Sequence, residues 1–324
     1  MKYYVGIDVG GTKCALTLGS KENDDIKVLV RREFKTEGSP SEVLERFLCE
    51  MNAVLGENSL EFSDIEAIGI SCGGPLDAEH GIVLSPPNLP GWDEVHITEF
   101  FTSRTGIESY LDNDANASAV AEWKFGAGRG KKNVIFLTFG TGLGSGLILD
   151  GRLYGGTNGN AGEIGHVRLR KSGPIGFGKI GSAEGFCSGG GIGRMGRTLA
   201  QKDEKAASAL IKYAGGIENI NAKNIAELAF DGDGFCKGVY RKCGEMLGET
   251  LSILIDILNP ECIILGGVYM RSHELLAAGM KKVLAREALG ISADVCEILP
   301  AGLGESIGDY AALSLAVYRK GSSC

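Results

Sequence analysis

Tyr3-Tyr4-Val5-Gly6-Ile7-Asp8-Val9-Gly10-Gly11-Thr12-Lys13-Cys14-Ala15-Leu16-Thr17-Leu18 reads as an apolar strand, a tight turn at Val9–Lys13 and a returning strand. A strand that returns as a strand is a hairpin. The strand–loop–helix of a P-loop or of a dinucleotide-binding fold is therefore excluded here. Adjacent Gly10 and Gly11 let a backbone approach a ligand closely, and Thr12 adds a hydroxyl. An ordinary hairpin turn would not need Asp8, an acid at the end of a buried strand. The same plan recurs half a chain later: Asn133 to Phe139, then Gly140-Thr141-Gly142-Leu143-Gly144, then Ser145 to Leu149. The repeat reads as an internal duplication, with two glycine-rich hairpins facing one another across a polyphosphate.

Between the hairpins lies Asp112-Asn113-Asp114-Ala115-Asn116-Ala117. Ile107–Leu111 before it has strand composition, and Ala117–Phe125 after it is rich in helix formers. Asn113, Asp114 and Asn116 are thus expected on a turn from the carboxyl end of a strand into a helix. Open α/β sheets place ligands there, and helix amides favour anions. The bland alternative is that Asp114 or Asn116 only caps the helix.

Composition bounds the answer. The chain has 324 residues, 44% hydrophobic and 23% charged, with a formal net charge of −8. That balance fits a folded protein and argues against a nucleic-acid-binding surface. The nine cysteines are scattered, as expected of reduced, mostly buried thiols in the cytoplasm. Asp8 and Lys13 interrupt any leader-like apolar run, and no stretch has the length of a membrane helix.

Elsewhere, strands are expected at Val28–Phe34, Ile65–Ser71, Cys262–Leu265 and Val295–Leu299. Helices are expected at Pro40–Leu55, Ile97–Ser103, Gly189–Ala200, Asn224–Phe230, Phe235–Leu258, His273–Leu289 and Ser306–Tyr318. Ser85–Trp92 contains three prolines and is expected to be irregular, holding Asn88 at a cleft. Gly159–His166 gathers polar side chains among small residues, which suits a ligand wall. Strands followed by helices in both halves predict an α/β protein of two related domains.

Asp8–Lys13, Asn88–Trp92, Asn113–Asn116, Gly140–Gly146, Ala161–His166, Ile264–Val268 and Gly302–Gly304 together resemble the ROK family. That family comprises bacterial sugar kinases and related repressors with the two-domain actin-like, ribonuclease-H-like ATPase fold, built from duplicated βββαβαβα units around a cleft. The resemblance implies ATP-dependent phosphorylation of a hexose hydroxyl, with glucose the expected sugar and N-acetylmannosamine, fructose, allose or another hexose as alternatives. A non-catalytic sugar sensor is the alternative from another class, and retention of Asp114 and both turns speaks against it. The resemblance makes Asp114 the general base and Asn88, Asn113, Glu163, His166 and Glu184 the sugar ligands. It makes Gly10, Gly11, Thr12, Lys13, Thr141 and Gly142 the phosphate loops. Asp8 then acts on the Mg²⁺–phosphate assembly through water, and Gly266 and Gly267 lie near the adenosine.

It also implies a small domain over 1–112 completed by a closing helix at about 305–324, a larger domain over 113–304, and a homodimer. Repressor members carry a DNA-binding domain ahead of the first strand; with the first strand expected at Tyr3, none is expected here. Most members have C-x-C-G-x-x-G-C-x-E, whose cysteines join a histidine on zinc. Here Ile175, Phe177 and Ser182 stand at the cysteine positions of Ile175–Glu184. Cys187 and His166 alone do not make a tetrahedral site. No structural zinc is expected, with packing by Ile175 and Phe177 as the expected substitute.

Overall fold

The computed structural model describes residues 2–322. Its first sheet is built from β1 (Lys2–Val9), β2 (Lys13–Glu22), β3 (Asp25–Lys35), β4 (Ile65–Cys72) and β5 (Ser109–Asn113). The helices of this half are α1 (Pro40–Glu57), α2 (Ile97–Thr105) and α3 (Asp114–Phe125). The second sheet contains β6 (Val134–Phe139), β7 (Leu143–Leu149), β8 (Arg152–Leu153), β9 (Cys262–Leu265) and β10 (Glu297–Pro300). Its principal helices are α4 (Ala183–Phe186), α5 (Gly189–Lys202), α6 (Ala222–Phe230), α7 (Gly234–Leu258), α8 (Val268–Glu287) and α9 (Ile307–Ser322).

The strand orders are β3-β2-β1-β4-β5 and β8-β7-β6-β9-β10. In each, the first three strands are antiparallel and the last two run parallel to the first. The two sheets therefore repeat one plan, as the paired hairpins predicted. Most of the extra mass of the second half lies between β8 and α7.

Central strands such as β1 are apolar almost throughout because both faces are covered. One face of the first sheet packs on Phe47 and Met51 of α1, the other on Leu313 and Ala316 of α9. Glycines make the second contact close. A Cβ on Gly6 would stand 2.9 Å from the Leu313 nitrogen, and one on Gly69 would stand 2.0 Å from the Ala312 oxygen. On Gly19 it would meet a Leu313 methyl at 2.9 Å. The helix thus crosses a glycine lane running over β2, β1 and β4. In the second half α3 lies on the sheet in the same way, with Gly146 under Ala115 and Ala119. The helices also meet each other, Trp123 against Tyr318 at 5.7 Å between ring centroids. So α9, the last helix, covers the first sheet, and α3 covers the second. A domain division at 112/113, with residues from about 305 returned to the first half, is the one we propose from these packings.

Buried carboxylates hold both crossings of the chain between halves. Asp112 is 2% exposed and accepts from the Asn113 amide (2.9 Å), Asn116 Nδ2 (2.7 Å) and Arg319 Nη2 (2.8 Å). Glu122, fully buried, accepts from the amides of Ala127 (2.8 Å), Gly302 (2.9 Å) and Leu303 (2.9 Å).

Several boundaries differ from expectation. The strand expected at Ile107–Leu111 runs on to Asn113, and α3 starts at Asp114 with no intervening turn. Asn113 is the N-cap, its Oδ1 accepting the Asn116 amide at 2.7 Å, so neither Asp114 nor Asn116 has the capping role. Asn116 is buried inside the helix. Around the proline loop, Leu76–Asp77, Ile82–Val83 and Val95–His96 form a small antiparallel flap too short to show a period. Helix α8 begins right after Gly267, earlier than expected, with non-helical angles at Ser272.

The glycine lane makes a prediction. Gly69→Ala forces a methyl into the Ala312 carbonyl and should destabilise the protein by about 2–3 kcal/mol. Gly56→Ala, in α1 with nothing within 4 Å of the new methyl, should instead gain about 0.5–1 kcal/mol. Urea unfolding of both variants checks the pair. Equal effects would contradict steric contact as the reason for glycine in the lane.

Candidate active site

The site lies at the carboxyl ends of the parallel strands β1, β4 and β5. Register places Asp8 beside Ser71 and Ser71 beside Asp112. Neighbouring strands are about 4.8 Å apart, so Asp8 and the start of α3 are separated by roughly 10 Å of sheet.

The first turn is stitched from within. The Gly10 amide donates to the Lys13 carbonyl (3.1 Å), and the Thr36 amide donates to the Thr12 carbonyl (3.0 Å). Thr36 Oγ1 donates to the Gly10 carbonyl at 2.6 Å. Glycine is required at both positions. A Cβ on Gly10 would stand 2.5 Å from the Lys13 oxygen, and one on Gly11 would stand 2.4 Å from the Asn88 oxygen. Asn88 thus lies over the turn, its amide also facing Gly73. Thr12 is exposed. Lys13 is in the turn, but its ammonium is on Glu33 at 2.7 Å.

The second turn is built alike. The Gly140 amide donates to the Gly142 carbonyl at 3.1 Å, and the carbonyls of Gly140 and Thr141 accept from the amides of Gly189 and Gly190, which open α5. Glu184 Oε2 accepts the Leu143 amide at 3.2 Å, and a Cβ on Gly142 would be 2.7 Å from that oxygen. Gly267 has φ +60°, and its Cβ would meet the Phe139 oxygen at 2.1 Å, so only glycine fits there. Gly266 donates to the Leu137 carbonyl. Beside them opens a cavity of about 710 Å³ lined by Gly140, Thr141, Gly189, Gly190, Tyr240 and Val268, among others. A larger groove of about 910 Å³, lined by Lys21, Trp123, Lys124 and Tyr318 among others, lies at the opposite end of the strands, away from these groups.

Four carboxylates share the cleft. Asp8 is pushed up from 3.8 to about 6, chiefly by removal from water and then by the Asp114 charge; Arg31 opposes this. Asp114 opens to the cleft but is hemmed in by protein, and that desolvation raises its pKa against the backbone amides at Asp114 and Ala115. Desolvation also raises Glu163, opposed by His166 and reinforced by Glu184 and Asp114. Acids that feel one another this way want protons, hydroxyl donors or a cation between them. His166 is exposed, its ring edge-on to Phe177 at 6.4 Å. Asp8, Asp114, Glu163, His166 and Glu184 are therefore brought together, and Asn88 sits over the first turn. Asn113 is adjacent to Asp114, with one oxygen lone pair given to its own helix.

The segment Ile175–Glu184 corrects one expectation. Ile175 is 49% and Phe177 76% exposed, so neither packs the loop in place. A two-stranded hairpin does so, Ile175–Gly176 against Lys179–Ile180. Ser182 Oγ accepts the Gly185 amide (3.1 Å) and donates to the Gly176 carbonyl (3.4 Å). Arg170 grips Glu249 of α7 with two nitrogens. Cys187 is buried, its thiol directed at the Cys243 carbonyl. Among the described residues, no group of three or more His, Cys, Asp or Glu is placed to hold a metal. This donor set does not fit a tetrahedral zinc. Neither Thr36 nor the stitching role of Ser182 is legible in the sequence, because a single hydroxyl carries no pattern.

Family comparison decides the identity. The ROK family profile matches residues 4–318. The chain belongs to the ROK family. A glucokinase of Thermotoga maritima is 33% identical over 322 residues, covering 98% of each chain. A glucokinase of Streptomyces coelicolor is 30% identical over 315 residues, 96% of each. Among solved structures, a ROK family glucokinase from Streptomyces griseus in complex with glucose and AMPPNP has a TM-score of 0.77 at 30% identity, covering 98% of this chain and 99% of that one. The architecture is thereby the two-domain actin-like ATPase fold.

The raised Asp8 acid has a stability consequence. Its native state binds protons that the unfolded chain has released, so stability falls as pH rises from about 4 through about 6. Asp8→Asn removes this penalty. It should stabilise the ligand-free protein by about 1–2 kcal/mol at pH 8 and by almost nothing near pH 4. A variant less stable than wild type at pH 8 would contradict the crowding of these carboxylates.

Proposed function

We infer that this ROK protein is an ATP-dependent sugar kinase, and we propose glucose as its preferred hexose. The observation that carries the reading is Asp114. It is a desolvated carboxylate with a raised pKa at the first residue of α3, beside Glu163 and His166 and between two glycine turns open to phosphate. Such a group meets the need of phosphoryl transfer, which is positioning plus charge stabilisation with a base for the attacking hydroxyl.

Within this reading a hexose hydroxyl, held against Asp114, attacks the γ-phosphorus of MgATP. Asp114 accepts the hydroxyl proton, the bond to the bridging oxygen breaks, and ADP leaves. Glu163, His166, Asn88, Asn113 and Glu184 hold the remaining hydroxyls, since acids, amides and an imidazole match groups that both donate and accept. The turns at Gly10–Lys13 and at Thr141 and Gly142 carry the phosphates, and the cavity beyond Gly266 and Gly267 takes the adenosine. Mg²⁺ brought by the nucleotide would offset phosphate charge, and Asp8 is the carboxylate that would hold it. Glucose is favoured by the glucokinases at 30–33% identity; N-acetylmannosamine, fructose and allose are the competing acceptors. The working form in this reading is a homodimer, as the family resemblance implies, and its scattered thiols suit the cytoplasm.

Turnover of MgATP with a panel of hexoses tests the assignment. Glucose should give the highest kcat/KM, and absence of turnover with every hexose would overturn it. Asp114→Asn should fold and bind sugar but lose about 10²–10⁴ in kcat; retention of more than about a tenth would remove Asp114 as the base. Because the base must be ionised, kcat/KM for wild type should climb with pH on an acid limb above the ordinary carboxylate value of 3.8. Glu163→Gln and His166→Ala should raise KM for the hexose about ten- to a hundredfold while sparing KM for ATP. A loss of melting temperature with unchanged hexose KM would make His166 structural.

A further inference from the structure

Arg194 lies on α5, the helix whose first residues close the second glycine turn. Its Nε is buried and has no hydrogen-bond partner, and among the described residues no carboxylate pairs with its guanidinium. Gly190 fixes where that guanidinium sits. A Cβ built on Gly190 would stand 3.1 Å from Arg194 Nη1, 3.5 Å from Nη2 and 3.1 Å from the Thr141 carbonyl oxygen. The cationic fork therefore fills the space left by the absent side chain, next to the turn. Gly190 and Thr141 both line the 710 Å³ cavity.

An arginine kept partly buried without an acid forfeits the paired hydrogen bonds its planar fork is shaped to make. The neighbouring positive element is already engaged. The amides of Gly189 and Gly190 donate to the carbonyls of Gly140 and Thr141, and the Gly191 amide donates to Ser188 Oγ at 2.9 Å. The start of α5 is thus closed on its own turn, and Arg194 is the donor left for an anion at this point. We propose that Arg194 binds the phosphate chain of the nucleotide, gripping non-transferred phosphate oxygens where they leave the second turn. This rests on the kinase reading. When the γ-phosphoryl departs, charge gathers on the bridging oxygen and the phosphate behind it. A guanidinium fixed there strengthens its bonds in the transition state and so acts on kcat as well as on ATP affinity.

Kinetics of Arg194→Ala, Arg194→Lys and Gly190→Ala in the full chain, with MgATP and the best hexose, test this. Arg194→Ala should lower kcat/KM for ATP by roughly a hundredfold, with KM for the hexose within about twofold of wild type. Arg194→Lys should recover only part of the loss, because a point charge lacks the fork. Added methylguanidinium should partly rescue Arg194→Ala. Gly190→Ala, which pushes on Nη1, should show a weaker loss of the same kind. Without ligand, the melting temperature of Arg194→Ala should be unchanged or higher, since an unpaired buried donor is removed; the rise produced by ADP should shrink. Wild-type ATP kinetics in Arg194→Ala would overturn the proposal. So would a lower melting temperature with equal losses for both substrates and no rescue. Should wild type phosphorylate no hexose, the kinase reading fails separately, and the ADP-induced melting shift still decides Arg194: a shift equal to wild type overturns it, a smaller one supports it.

Discussion

The packing of α3 on α9 is the constraint from which the site follows. Each helix lies close on the sheet of the half opposite to its own in chain order, because glycines let the backbones approach. Gly6, Gly19 and Gly69 are under α9, and Gly146 is under α3. Asp112 and Glu122, both buried, then tie the two chain crossings to α3 through six hydrogen bonds. Unpairing either acid would leave a buried charge, which is far costlier than losing a surface contact. Asp114 is the first residue of this anchored helix, so the group proposed as base is held by a buried polar network between the halves.

Charge is then divided across the cleft. Asp114, Glu163 and Glu184 crowd the proposed sugar side, with Asp8 on the proposed phosphate side; desolvation raises the proton affinity of Asp8, Asp114 and Glu163, and repulsion from neighbouring acids adds to it at Asp8 and Glu163. The other side has backbone amides, the glycine turns and the unpaired Arg194. A neutral sugar rich in hydroxyls suits the first wall and a polyphosphate the second. The proposed reaction joins them at Asp114. The ionised acids are disfavoured while the cleft is empty, which suits it to a ligand that brings hydroxyl donors or a cation between them.

Much of this was legible in the amino-acid order. Strand–glycine–strand periods at Tyr3–Leu18 and Asn133–Leu149 announce the duplication, since a period of two is a local property of the chain. The carboxylate at Asp114 is legible for the same reason, being flanked by a strand pattern and an alanine-rich helix. The exact cap is not, because Asn113, Asp114 and Asn116 are all good capping residues and only geometry selects Asn113. Glycine inside a strand normally signals weakness; that Gly6, Gly19 and Gly69 make a lane depends on a helix 240 or more residues away, by the numbering of Leu313 and Ala312. The loop at Ile175–Glu184 misled through composition, since apolar residues at former cysteine positions suggest packing, whereas Phe177 and Ile175 face water and Ser182 does the stitching. Arg194 carries no signal in the sequence, because the missing partner of its buried Nε is a property of the folded chain.

The central claim is that a hydroxyl held at Asp114 attacks the nucleotide's γ-phosphorus directly, between the two glycine turns. The stereochemistry at phosphorus tests it without mutation. ATP whose γ-phosphate is made chiral with oxygen isotopes is turned over with the preferred hexose, and the configuration of the sugar phosphate is read by phosphorus NMR. A single in-line displacement predicts inversion. Retention would mean two successive displacements through a phosphorylated side chain, and would contradict Asp114 as a base acting on the sugar hydroxyl.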